Sequence, residues 1–291
     1  MFCHKRCLVL GLCSLFAVPA IVSAGATDLM SDYNVIVLGD FNGTTHVHGT
    51  SYIGGSITNG GALDFAVDLY NHAAPDETLL TLGGAYVRRP NNLAGHIGTT
   101  DIATTQTMTD LLKDYSGQLS RLTGTVLNSL NGVTVGYTEG VDTQVFSVSE
   151  QVFETANMNF LLSSLDADDY IVFNVSGTDV AMNGGSNFND SHAIDWSHVL
   201  WNFYEADTLS LKGFYGNVLA PGAALTLTND IHGNVAVAEL NGYGQIHVNG
   251  QPYLPDLEPV TVPAPSSAIL SGLGLLASAV YRRRMRPGGN A

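Results

Sequence analysis

From Thr105 to Leu130 the apolar residues Met108, Leu111, Leu112, Tyr115, Leu119, Leu122, Val126 and Leu130 return every three or four positions, the stripe of an amphipathic helix. Thr107 or Thr109 supplies a start signal and Asn131-Gly132 a left-handed stop. The rest of the chain's middle has another pattern. Short apolar alternations bounded by Gly, Asn and Asp fall at Tyr33–Leu38, Val47–Ile57, Tyr170–Val175, His198–Phe203, Thr208–Leu211, Asn217–Ala220, Ala224–Thr228, Asn234–Ala238 and Gln245–Val248. Such runs, with turn chemistry between them, read as strands. One long helix among many strands needs a flat surface to lie on.

Gly216-Asn217-Val218 and Gly233-Asn234-Val235 stand 17 residues apart. A coil of a parallel β-solenoid, three short strands and three turns, takes roughly 17 to 25 residues. Equivalent residues of stacked coils lie about 4.8 Å apart, so small residues recur at corners while Val and Leu alternate into a narrow core. The repeat is therefore expected to be one coil on the next, with Val218, Leu219, Leu225 and Leu227 over Val235, Val237 and Leu240. Two hairpins that share Gly-Asn-Val are the alternative.

The two ends change the picture. His4, Lys5 and Arg6, the apolar run Cys7–Ile21 and the small residues up to Ala26 have the layout of a secretory signal, Met1–Ala26, cleaved after Ala24 or Ala26. All 3 cysteines lie inside it, so the exported protein is expected to hold no disulfide and no thiol nucleophile. At the other end Val262-Pro263-Ala264-Pro265 precedes the apolar run Ala268–Val280 and then Arg282, Arg283, Arg284 and Arg286. That run would reach about 20 Å as a helix, short of a bilayer core of about 30 Å. Its basic cluster would stay cytoplasmic. The segment Pro263–Ala291 thus reads as a weak membrane stop, inserted transiently and held for a processing enzyme. Between the ends lie one domain, Thr27–Val248, and a Pro-containing linker, Asn249–Val262.

All 26 acidic residues fall between Asp28 and Glu258, where only 5 of the basic residues lie, a formal charge of −21. Such a surface repels nucleic acid and anionic lipid. No cofactor is expected, calcium being the one cation that the acidic surface leaves open.

Tyr33–Asn42, Ser197–Phe203 and Gly216–Pro221, above all Leu200-Trp201-Asn202-Phe203 followed by Asn217-Val218-Leu219-Ala220-Pro221, resemble the choice-of-anchor A family of bacterial surface domains. The C-terminal segment resembles PEP-CTERM sorting signals, with Ala264 where a glutamate usually stands. The first resemblance implies a right-handed parallel β-solenoid, similar to ice-binding proteins, with one long flanking α-helix. The second implies export by the general route, handling by signal peptidase and then by an exosortase-type enzyme at Val262-Pro263-Ala264-Pro265, and loss of Arg282, Arg283 and Arg284. Together they imply an outer cell surface or extracellular matrix protein, mainly β, acting as a non-enzymatic adhesin or structural component that contacts extracellular polysaccharide or another cell-surface ligand. The competing readings are an ice-binding protein and a polysaccharide-acting enzyme.

Candidate site residues are few. His46 and His48 share a strand face, a spacing that can serve metal, but no third ligand stands nearby. Asp190, His192, Asp195 and His198 form a polar loop cluster, and Asp166, Asp168 and Asp169 a turn without the twelve-residue calcium pattern. Glu205 and Asp207 alternate on one side of a strand like a glycosidase pair. Thr226-Leu227-Thr228 is the one Thr-x-Thr on an expected solenoid face, whereas an ice plane needs several stacked pairs. No Gly-x-Ser-x-Gly occurs in the exported part.

Overall fold

The Gly-Asn-Val repeat marks the corner of a stacked coil. In a computed structural model that describes residues 25–43, 46–91, 93–135, 143–155, 159–162, 169–183, 196–248, 250, 252, 254–255 and 257, Val218 lies beside Val235 in parallel register. Met1–Pro255 forms one compact unit, and Asp256–Ala291 a second in which only Leu257 is described.

The chain starts with helix α1 (Ala26–Asp32) and runs through β1 (Val35–Val37), β2 (Phe41–Gly43), β3 (Ser51–Ile53), β4 (Leu80–Leu82) and β5 (Ile97–Thr99). Helix α2 (Ile102–Ser120) follows, then β6 (Thr125–Leu127), β7 (Asn131–Val135), β8 (Thr143–Ser149), the short helix α3 (Glu150–Thr155), β9 (Asn159–Leu162), β10 (Tyr170–Ser176) and β11 (Asp179–Ala181). The last described stretch carries β12 (Val199–Asn202), β13 (Thr208–Leu211), β14 (Phe214–Tyr215), β15 (Asn217–Leu227), β16 (Ile231–His232), β17 (Val235–Gly242) and β18 (Ile246–His247).

These strands make three parallel faces. The first runs in the order β6-β8-β10-β12-β15-β17-β1-β3-β4-β5, the second through β11, β13, β15, β17 and β2, and the third through β14, β16 and β18. Strands β15 and β17 turn a corner and serve two faces, and the register slips between Ala220 and Ala224 where they do so. The fold is a parallel β-solenoid with a helix along one face, as the spacing predicts. The stacking expected from the repeat holds at Val218 over Val235 and Leu225 over Leu240, while Val237 lies under Ala220 and Leu227 meets Gly242.

The order of the first face contains a surprise. Chain order along the stack is β6 to β17 and then β1 to β5, so the chain enters in the middle, runs out to β5, and is carried back by α2 to β6. It then climbs until β17 pairs with its own first strand, Val235 beside Val35 and Val237 beside Val37. The second face closes this seam at Leu240 and Phe41, and the third at Ile246 and Val47.

Helix α2 covers the first face. Met108, Leu112, Tyr115 and Leu119 of its stripe are buried, as are the outward strand residues Ile36, Tyr52, Val172, Leu200, Leu219 and Ala236. Ser116 Oγ donates to Asn202 Oδ1 at 2.6 Å, Asn202 Nδ2 to Asn174 Oδ1 at 2.8 Å, and Asn174 Nδ2 to the Leu119 carbonyl at 2.8 Å. The helix departs from the expected Thr105–Leu130 span at both ends. Asp101 is the cap, accepting from the Thr104 amide at 2.7 Å, and the hydroxyls of Thr107 and Thr109 bond back to carbonyls one turn earlier. After Ser120 the sequence Thr123-Gly124-Thr125-Val126 is poor in helix formers, and it joins the sheet as edge strand β6, Thr125 beside Phe146.

Inside, Phe146, Phe173 and Trp201 stack in successive coils, Trp201 on Phe173 at 4.1 Å and 13°. The coils beyond continue the column with Val218, Val235 and Val35.

The corner asparagines explain the repeat. Asn217 Oδ1 accepts from the Asn234 amide at 3.0 Å, and Asn34 Nδ2 donates to Asn234 Oδ1 at 3.2 Å, so a third copy of the motif, Tyr33-Asn34-Val35, continues the ladder across the seam. Asn234 Nδ2 also reaches the carbonyls of Met30 at 2.6 Å and Tyr33 at 3.2 Å. Glycine precedes the later two because a Cβ on Gly233, at φ 150°, would stand 2.2 Å from the Gly216 carbonyl oxygen. Replacing Asn234 with Ala leaves buried groups of α1 and Asn34 without this partner, and should cost about 2–4 kcal/mol, read as a lowered urea midpoint with unchanged slope.

Candidate functional site

The helix leaves the second face open, and its registers align two outward columns. One runs Asp179, Thr208, Ala224, Glu239, Asp40, Ser56, and the other Ala181, Ser210, Thr226, Asn241, Asn42, Thr58. Between them Val180, Leu209, Leu225, Leu240, Phe41 and Ile57 point into the core and are buried. Outward residues of adjacent coils repeat at about 4.8 Å, and those two apart on a strand at about 7 Å. The column side chains are partly tied to the scaffold: Thr208 Oγ1 donates to Asp179 Oδ1 at 2.9 Å, and Asp40 Oδ1 accepts from the Ser56 amide at 2.7 Å. The face is a regular grid of carboxylates, hydroxyls and amides. Chemically it can hydrogen-bond a repetitive, hydroxyl-rich surface at many points.

Thr226 projects from this grid, and Thr228 stands exposed just past the strand end. Their neighbours in register are Ser210 with Lys212 and Asn241 with Tyr243, so no second Thr-x-Thr pair stacks on the first.

The third face carries a column of rings. Tyr215 stacks on His232 at 4.4 Å and 10°, His232 on His247 at 4.6 Å and 8°, and His247 meets His48 at 4.2 Å across the seam. Carboxylates flank it: Asp68 Oδ2 lies 3.0 Å from His48 Nδ1, Asp230 Oδ2 3.8 Å from His247 Nε2, and Asp64 Oδ2 3.3 Å from His46 Nε2. His46 and His48 flank the buried Val47 in isolated bridges rather than in a strand, each facing its own aspartate. Among the described residues no group of three or more His, Cys, Asp and Glu converges in a way that could hold a metal ion.

The other sequence candidates disperse. His198 is buried, its Nδ1 2.7 Å from the Asp169 carbonyl, a contact between coils. Asp166, Asp168, Asp190, His192 and Asp195 lie outside the described residues, as do Ala24, Val262, Pro263, Ala264, Pro265, Arg282, Arg283 and Arg284. Ala26 is the buried first residue of α1. Glu205 and Asp207 are exposed in the turn between β12 and β13, not on a strand, and the Glu205 carboxylate accepts from the Gly177 amide at 3.3 Å. Sequence reasoning missed Asp40, Asn42, Ser56, Thr58, Asp179, Glu239 and the ring column. Local alternation marks such positions as outward, but only the register between coils aligns them.

A family model described as "Putative Ice-binding-like adhesive domain" matches residues 26–110 and 81–248. No curated protein matches the chain significantly. Among solved structures, an ice-binding protein of the Antarctic ascomycete Antarctomyces psychrotrophicus is similar at 14% identity over 77% of this chain and 98% of that one, with a TM-score of 0.36. A glycosylated ice-binding protein from an Arctic yeast matches at 13% identity over 80% and 96%, TM-score 0.39. An ice-binding protein of an Antarctic Flavobacteriaceae bacterium matches at 13% over 83% of this chain and 50% of its own, TM-score 0.40. Likeness of this size bears on neither ligand nor activity.

Burial, and then the neighbouring His48, hold the His247 imidazole below its ordinary pKa of 6.5. Its neutral form therefore favours the fold: that stability is present above pH 6.5 and is lost as the pH falls through the lower folded value. A His247→Phe variant, which keeps a ring in the column, should lose less melting temperature between pH 7.5 and 5.0 than the parent, measured by calorimetry.

Proposed function

The chain belongs to the ice-binding-like adhesive domain family, and from that premise we propose that it is a non-enzymatic adhesin of the choice-of-anchor A type, which binds extracellular polysaccharide on the outer cell surface or in the matrix. The observation that carries this reading is the second face, uncovered among the described residues, whose two outward columns carry hydrogen-bonding side chains at every position but Ala181 and Ala224. A repetitive ligand gains from regularly spaced weak contacts, and no single pocket has to supply the affinity. The secretory signal at Met1–Ala26 and the sorting segment with Val262-Pro263-Ala264-Pro265 and its arginines support delivery to that location. Among the described residues no helix is long and apolar enough to cross a membrane.

Ice binding is the weaker reading, because Glu239 and Asp40 stand adjacent in one column and only Ser210 and Thr226 form a hydroxyl pair in the other. The protein should therefore produce no thermal hysteresis, measured by nanolitre osmometry.

Adhesion is tested by co-sedimenting the exported protein with the extracellular matrix of its own host, in calcium and in chelator. Placing lysines in the grid, Asn42→Lys with Thr226→Lys, should weaken retention at least about ten-fold, about 1.4 kcal/mol, at unchanged melting temperature, since both positions face solvent and the two long side chains would hold a ligand off the face. Retention equal to the parent's would remove the face from the argument. Loss in chelator alone would assign the contact to bound calcium. Mass spectrometry of the surface-located protein should find Arg282, Arg283 and Arg284 absent.

A further inference from the structure

Helix α2 does not cover the first face to its end. Where it leaves β5 it opens a groove of about 570 Å³ between α1, the start of α2 and the outer sides of β3 and β4. Tyr52 and Thr81 lie along its sheet side, Leu29 and Tyr33 come from α1 and the residue after it, Thr104 and Met108 from the start of α2, and Asp101 from its cap. Tyr33 and Tyr52 meet edge to face at 5.7 Å. The Tyr52 hydroxyl is fixed 3.0 Å from Thr100 Oγ1 and 2.8 Å from Thr105 Oγ1. The hydroxyls of Tyr33 and Thr81 have no hydrogen-bond partner among the described residues.

We propose that this groove binds a short neutral saccharide segment, a site separate from the open second face; the assignment rests on the adhesive reading and names a ligand class within it. The volume lies within the range of about 300–1,000 Å³ that encloses small ligands, enough for two or three sugar rings. Tyrosine rings supply an apolar surface for sugar C–H groups beside polar tips. Threonine and tyrosine hydroxyls both donate and accept, which matches a ligand whose own hydroxyls do the same. The lining includes no Lys, Arg or His, and its one charged residue is Asp101. Bonds from the Thr104 backbone and side chain hold that carboxyl below the usual range, so it stays ionised. An anionic sugar would meet only repulsion.

The experiment is methyl NMR on the full chain labelled at threonine, titrated with the neutral and the anionic oligosaccharide fractions of hydrolysed host matrix. The neutral fraction should shift Thr81 and Thr104, and a Thr81→Val/Tyr33→Phe variant should bind at least ten-fold more weakly at unchanged melting temperature. Shifts confined to Thr208 and Thr226 would overturn the groove and leave adhesion through the open face intact. Shifts from the anionic fraction alone, or equal binding by the variant, would also overturn it. Silence of every threonine toward both fractions would overturn the groove and count against the polysaccharide reading as well.

Discussion

Everything in this fold hangs on the non-covalent pairing of β1 with β17. The chain is cut in the middle of its own stack, so the two coils that meet there are joined by parallel strand hydrogen bonds, side-chain ladders and core packing alone. Val235, Ala236 and Val237 lie in register with Val35, Ile36 and Val37. The Asn217-Asn234-Asn34 ladder and the His247–His48 contact cross the same boundary at two other places on the circumference. The covalent route between the stack's ends is α2 instead. Its 19 residues extend about 28 Å, close to six of the nine strand spacings between β5 and β6, and the residues before and after it cover the rest.

This arrangement gives each face a different environment. The first face takes the helix and becomes a second apolar layer, with Asn174, Asn202 and Ser116 satisfying one another beneath it. The third is narrow and filled by stacked rings with aspartates around them. Only the second is left as an open array, and the groove lies where α1 and the start of α2 meet the last coils of the first face. Both outermost strands of the sheet, β5 and β6, are three residues long, a short edge that limits strand addition by another chain.

Much of this was legible beforehand. Period-two alternation placed β10, β12, β13 and both halves of β15 close to their observed bounds, because inward Val, Leu and Phe must alternate with outward residues in any strand with one buried side. The 17-residue interval of Gly216 and Gly233 pointed to a coil, since both glycines answer to one steric demand at a corner. The apolar stripe continues through Leu130 in the sequence, but period alone does not show that Thr123-Gly124-Thr125 leaves the helix for the sheet. The short strands β4 and β5 escaped because a three-residue strand carries too little pattern.

The amino-acid sequence by itself determined the secondary structure's type, the coil and the helix that flanks it, since alternation, corner glycines and the 3.6-residue stripe are local properties of the chain. Only the tertiary structure decided which coil lies beside which. Register between Val35 and Val235, 200 residues apart, is set by side chains meeting across a seam, and no local pattern encodes it. The aligned columns of Asp40, Glu239, Asn42 and Thr226 and the meeting of His247 with His48 follow from that register. They exist as sites only when the stack is assembled.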